Sequence, residues 1–192
     1  MKDDTLILKD LISEINSKLD IQIKEYYELL NMRKELKSCI QIIIEYIYIF
    51  NASNYKDAMV QLLNSKGFNE ATAILLNLYN DKSNNVDKWN IGATLYSIQD
   101  KRFENNYIKI IKDKENGTSR QMIVILLGKL KCEKSIPVLI ELLKDDDVNG
   151  HAIMALGYFK DEKLIQYIEP FLNHKQLWIR KEAEKAIRKI SK

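Results

Sequence analysis

Proline occurs twice and glycine six times in these 192 residues, so little in the chain interrupts a helix. The two cysteines, Cys39 and Cys132, stand apart. They cannot form the disulfide framework of a small secreted domain and are expected as reduced core thiols. Histidine also occurs twice, and neither His151 nor His174 lies at a recognisable motif spacing from a serine or cysteine nucleophile. Gly128, Gly150 and Gly157 do not make a phosphate-cradling loop, and no G-x-x-x-x-G-K occurs. Cys132, His151 and His174 match no common zinc spacing. No catalytic set, metal or cofactor is therefore expected, and no small-molecule substrate is evident.

Long apolar runs are missing too. The most hydrophobic stretch, "IQIIIEYIYIF" (40–50), contains Glu45 and is roughly half the ~20 residues of a spanning helix, so it reads as a buried element and not as a membrane segment. The start, "MKDDTLILKDLISE", has acids where a secretory signal would have a basic region and then an apolar run, which predicts a cytoplasmic protein. Hydrophobic residues make up 46% and charged residues 30%, the balance of a soluble globule able to bury a core. A net charge of +3 implies no partner by its sign alone, so the placement of the basic residues has to decide that question.

What the chain has is self-similarity. Laying "SRQMIVILLGKL" (119–130) over "VNGHAIMALGYF" (148–159) places the two Leu-Gly pairs 29 residues apart. Ile123, Leu126, Leu127 and Leu130 then coincide with Ala152, Ala155, Leu156 and Phe159. The same helical stripe returns as Ala183, Ala186, Ile187 and Ile190, and earlier as Ile91, Thr94, Leu95 and Ile98. Between these lies a second recurring helix: "IPVLIELLKD" (136–145), "IQYIEPFLNH" (165–174), "ENNYIKIIKD" (104–113) and the weaker "ATAILLNLYND" (71–81). The pattern is helix A, turn, helix B, with units near 40–66, 72–98, 104–130, 136–159 and 165–190. Residues 1–39 have their own periodicity, Leu6, Leu11, Ile12, Ile15 and Leu19, then Ile23, Tyr26, Tyr27, Leu30 and Leu36. They read as a helical pair that caps residues 40–192 within one compact domain, or alternatively as an extension with its own effector.

These segments resemble the HEAT-repeat family, including the short HEAT-like repeats first grouped with phycobilin lyases. The resemblance is carried by "IPVLIELLKDDDVNGHAIMALG" (136–157), "IEPFLNHKQLWIRKEAEKAI" (168–187) and "YIKIIKDKENGTSRQMIVILLG" (107–128). It implies an all-α, right-handed α-α superhelix with A helices outside and B helices along a concave wall, and it implies no reaction. Gly157 costs about 1 kcal/mol against alanine in a helix interior, and the family pattern accounts for it as a point of close helix approach or a bend. An acid after helix A and a base opening helix B also recur, as Asp113 with Arg120, Asp81 with Lys88, and His174 with Arg180. Asn149 interrupts the series. These read as joints between units and not as catalytic dyads, and Asp145, Asp146 and Asp147 read as a solvated turn that helps open the next helix.

At 100° per residue, the B-helix side opposite the core stripe runs Trp89, Ala93, Tyr96; Gln121, Ile125, Gly128; Gly150, Met154, Gly157; Lys181, Lys185, Arg188. The expected groove thus passes from aromatic through small and apolar to basic, with Trp89, Tyr96, Gln121, Ile125, Met154, Lys181, Lys185 and Arg188 as partner-binding residues. Ile125 and Met154 can equally be buried between neighbouring B helices. The first functional expectation is a non-catalytic module holding a protein partner, acidic in part, as an adaptor or immunity-type inhibitor. The alternative is a DNA-binding or repair protein resembling the HEAT-like alkylpurine DNA glycosylases, in which Asp57 and Trp89 would serve near a lesion. Chromophore attachment has only the repeat's historical grouping behind it.

Overall fold

The computed structural model describes residues 3–192, and every regular element among them is a helix. The chain divides into two compact units, Met1–Asp100 and Lys101–Lys192. Treating residues 1–39 as a cap and 40–192 as one solenoid remains a proposal about how these helices work together.

In the first unit, α1 (Asp4–Leu19) starts where the Asp3 carboxylate accepts from Thr5 N–H, and ends at Asp20 in the left-handed region (φ 54°). The side chain of Asn16 then both donates to and accepts from the backbone of Ile23, at 2.7 and 2.8 Å, and ties the chain back as it leaves the helix. α2 (Tyr26–Asn31) opens on a reciprocal Glu25–Glu28 capping box, which satisfies donors that a six-residue helix would otherwise leave unpaired. α1 packs on α3 (Ile40–Ile49), and α2 on α4 (Ser53–Leu62). The N-terminal stripe differs in phase from the expectation: Leu6 and Tyr27 are exposed, whereas Ile7 and Leu29 are buried. On α1 the buried line is Ile7, Leu11, Ile12 and Ile15, a 4-1-3 spacing that leaves Leu6 outside the stripe.

α5 (Thr72–Asn80) and α6 (Lys88–Ile98) complete this unit. α6 packs on both α5 and α4, and the buried Thr94 hydroxyl donates to Val60 O across the α4–α6 seam at 3.2 Å.

The second unit contains α7 (Glu104–Lys112), α8 (Gln121–Lys129), α9 (Ile136–Glu141), α10 (Asn149–Leu156), α11 (Ile165–Ile168) and α12 (Leu177–Ile190). Pro137 stands in the first turn of α9, where its missing N–H costs nothing, and Pro170 opens the 3-10 segment after α11. α10 lies between α8 and α12, so the three B helices form a contiguous layer. Its seams are made of small residues. A Cβ on Gly128 would fall 2.5 Å from Ala155 Cα, and one on Gly157 would fall 2.9 Å from Ala186 Cβ. Gly128 and Gly157 are equivalent repeat positions, as are Ala155 and Ala186, so one contact recurs in consecutive units. The close-approach reading of Gly157 therefore holds.

One acid–base joint is formed, at Arg120, in a different register from the sequence pairing, while Arg180 donates to His174 O at 2.6 Å. Arg120 is completely buried and donates to Ile111 O, Gly117 O and, at 2.9 Å, to the Asp145 carboxylate of the next unit. Asp147 lies 3.8 Å away. Asp113 instead accepts from Glu115 N–H and the Asn116 amide. A guanidinium reaches the carbonyls behind it and the carboxylate ahead because its donors point in several fixed directions. Gly117 takes the left-handed φ of 49° that this turn needs.

Candidate functional site: the B-helix face of the second unit

Charge is distributed unequally. Residues 1–100 hold 11 basic and 14 acidic side chains, and residues 101–192 hold 19 and 13. The +3 of the whole chain therefore hides an acidic first unit and a second unit at +6. Residues 177–192 alone carry six bases and two acids.

The predicted binding residues fall into three groups. Lys181, Lys185 and Arg188 are exposed on α12, with Lys185 Nζ 2.7 Å from Glu182 Oε1. Trp89 and Tyr96 lie on α6 in the first unit, Trp89 at 45% exposure and Tyr96 half-buried. Gln121, Ile125 and Met154 belong to α8 and α10. Gln121 is half-buried, and its amide donates to Asp147 O at 2.9 Å, so it is part of the joint between consecutive units. Ile125 is only 5% exposed, the packed alternative left open from the sequence, while Met154 is half-buried.

The accessible line on the B helices is displaced from the one expected. Gly128, Gly150 and Gly157 are buried, and the half-buried positions include Gln121, Met122 and Lys129 on α8 and His151, Met154 and Tyr158 on or just beyond α10. α10 touches its A helix α9 and a B helix on either side, so three of its faces are covered and its open arc is narrow. On α8 and α10, counting 180° from the core stripe lands on a seam at Gly128 and Gly157.

Trp178 is the residue that sequence reasoning missed. It sits at the start of α12, 45% exposed, and its ring lies where a side chain at Gly150 would be: a Cβ there would overlap Cη2 and Cζ3. The indole N–H donates to Gln176 Oε1 at 2.8 Å. The His151 ring stands 5.7 Å away, tilted by 58°. His151 Nδ1 is buried without a hydrogen-bond partner, and burial holds this imidazole below its usual range, with the Glu182 charge acting weakly the other way. The available signal was the spacing: Trp178, Lys181, Lys185 and Arg188 follow at intervals of three, four and three, one line along a helix. Farther along, Lys189 Nζ stands 4.9 Å over the Tyr158 ring, a cation–π contact between α12 and the end of α10.

Asp57 does not present itself as a reactive carboxylate. It accepts from Asp87 N–H at 2.9 Å, while the Asn90 amide donates to its backbone carbonyl at 3.0 Å, so it joins α4 to the start of α6. Among the described residues no three His, Cys, Asp or Glu side chains are placed to hold a metal ion, and no helix is long and apolar enough to cross a membrane.

No curated protein matches the chain. Among solved structures, a designed armadillo repeat protein is similar at a TM-score of 0.50 and 14% identity, over 86% of this chain and 100% of that one, a likeness of fold alone. Residues 104–188 match the family model described as HEAT repeats. Stacked helix pairs, the recurring Gly–Ala seam and the buried Arg120 joint lie inside that matched span.

Proposed function

We propose that this chain is a non-catalytic binding module that holds an acidic protein partner on the B-helix face of its second unit. The observation that carries the reading is the cationic line on α12, exposed beside half-buried Met154 and His151, in a unit of 19 bases and 13 acids. Such a face attracts carboxylate-rich segments at long range, and its apolar neighbours supply contact area once they dock. Adaptor and immunity-type roles both fit this mechanism. Cytoplasmic residence fits the two buried, unpaired cysteines.

Binding by the DNA-repair route is disfavoured by two features. Asp57 is occupied as a joint, and the unit that holds Asp57 and Trp89 is net acidic. Duplex DNA binding at low salt would restore that reading.

The test is cross-linking of the full chain in lysate of its source cell, with cross-linked sites mapped by mass spectrometry. The expected partner is a protein whose cross-links fall between acidic residues and α10 or α12. Its capture should fall at least tenfold for the triple substitution Lys181→Glu, Lys185→Glu, Arg188→Glu, and should weaken as salt rises. Capture untouched by that substitution would overturn the proposal.

A further inference from the structure

Deepening that reading, and resting on it, we infer that Trp178 is the apolar anchor of the face and that its occupant is an amphipathic acidic helix of a protein partner, laid along α12. The occupant's carboxylates meet Lys181, Lys185 and Arg188, and an aliphatic side chain at one end covers the indole.

Three observations carry this. The first is the seat. Gly150 lies at the start of α10, and the space a side chain would fill is taken by the Trp178 ring. The indole N–H is satisfied by Gln176, two residues away. A tryptophan fixed on one side by packing and at its polar atom by a hydrogen bond has already lost the rotamer freedom that binding would otherwise remove. The second is what the seat leaves uncovered. Ile179 and Ile190 on the same helix are almost wholly buried, but Trp178 keeps 45% of its surface exposed and the adjoining Leu177 keeps 56%. A ring seated on one side yet left half open suits a binding hot spot better than a core position. The third is register. From Trp178 to Arg188 the line covers ten residues, about 15 Å of helix at 1.5 Å per residue. Its spacing of three, four and three is the spacing at which another helix presents one face.

The charge of the line selects the occupant. Of the two acids on residues 177–192, Glu182 is already paired with Lys185, which leaves an excess of cations for an incoming acidic face. Phosphates would satisfy the cations too, but Leu177 beside Trp178 makes the end of the line an aliphatic contact, which favours a protein segment over a nucleic acid.

The chain has two tryptophans, so Trp89→Phe leaves Trp178 as the sole indole reporter. Random 16-residue peptides displayed on phage are selected against the full chain, and the recovered peptides are synthesised. They are expected to be acidic, with carboxylates every three or four residues and a large aliphatic residue near one end. On binding to the Trp89→Phe protein they should shift Trp178 emission to the blue and protect it from acrylamide. Trp178→Ala should weaken them at least tenfold. Gly150→Ala, which displaces the ring without altering it, should weaken them severalfold with the helical circular dichroism unchanged.

Acidic peptides lost on Lys181→Glu and Lys185→Glu but bound within twofold by Trp178→Ala would overturn the anchor and leave the basic face standing. Peptides with no acidic bias, indifferent to all these substitutions, would overturn both. A 16-nucleotide single strand that displaces the peptides at equal concentration would overturn the choice of a protein occupant.

Discussion

Three substitutions of identical chemistry separate the seam from the seat: Gly128→Ala, Gly157→Ala and Gly150→Ala. At Gly128 the new methyl would stand 2.5 Å from Ala155 Cα and 2.8 Å from Ala155 C. Carbon pairs settle near 3.5–4.0 Å, so the deficit is about 1 Å. Because the opposing atoms are main chain of α10, no side chain can swing away, and α8 and α10 must part along a buried seam. Overpacking of that kind costs about 3 kcal/mol, and the better helix propensity of alanine returns about 1, for a net loss of about 2. At Gly157 the distances are 2.9 and 3.0 Å to Ala186, so the shift is about half as large and the net effect lies between zero and about 1 kcal/mol of loss. At Gly150 the clash is with the ring of an exposed side chain, which can leave, so stability should stay within about 0.5 kcal/mol of the parent while Trp178 fluorescence changes. Urea denaturation followed by circular dichroism resolves these differences as midpoint shifts at constant slope. A Gly128→Ala protein as stable as the parent, or a Gly150→Ala protein as damaged as Gly128→Ala, would refute the close-seam argument.

Arg120→Ala should cost about 3 kcal/mol in the same assay, because it removes three donated bonds and strands the Asp145 carboxylate. Arg120→Lys should rescue little of this, since one ammonium cannot serve Ile111 O, Gly117 O and Asp145 together. Burial, with Glu14 adding to it at Tyr46, pushes the phenols of Tyr26 and Tyr46 up to about 12. The fold therefore favours their neutral forms: this contribution is complete below pH 10 and is lost as pH rises toward 12. Phenolate absorbance should show two late tyrosines, one removed by Tyr26→Phe and one by Tyr46→Phe. His151 is held below 6.5, so the unfolded chain takes up its proton first, and stability should decline as pH falls through and below that value. Proton NMR titration of the imidazole C–H should place His151 below the usual imidazole range. Burial raises both thiols, and Cys39 and Cys132 should resist Ellman's reagent until the chain is unfolded.

The repeat was readable because burial writes a periodic stripe: Ile123, Leu126 and Leu127 and their equivalents Ala152, Ala155 and Leu156 are all in the core. The match over 104–188 covers the stretch where that stripe is most regular. What lay beyond the sequence were contacts set by neighbours. Asp113 stands seven positions from Arg120, but the guanidinium turns to Asp145, because direction is fixed by the stacking of units and not by distance along the chain. The glycines of the B-helix line were misplaced for the same reason. A helix packed on three sides has a narrow open arc, and Gly128, Gly150 and Gly157, read as wall, fill seams and a seat. Trp178 escaped notice because it precedes the stripe, whose first buried member on α12 is Ile179. Its role depends on Gly150, 28 residues earlier, an association that only the fold makes.

In a stacked fold most of the conspicuous polar residues are consumed by the stacking. Asp57, Asn90, Arg120, Gln121 and Asp145 each donate to or accept from a neighbouring unit. Removing any of them should lower stability before it lowers binding. Residues that stacking does not account for are the better candidates for function, and they are recognised by exposure that packing leaves unexplained. Trp178 with Leu177 at the head of the α12 line, followed by Lys181, Lys185 and Arg188, meets that criterion within a single helix. Substitutions along this line should change binding with little effect on the urea midpoint, the reverse of the joint residues. That contrast separates a binding face from a merely soluble end of the repeat, because charges serving only solubility could be reversed without loss of any partner.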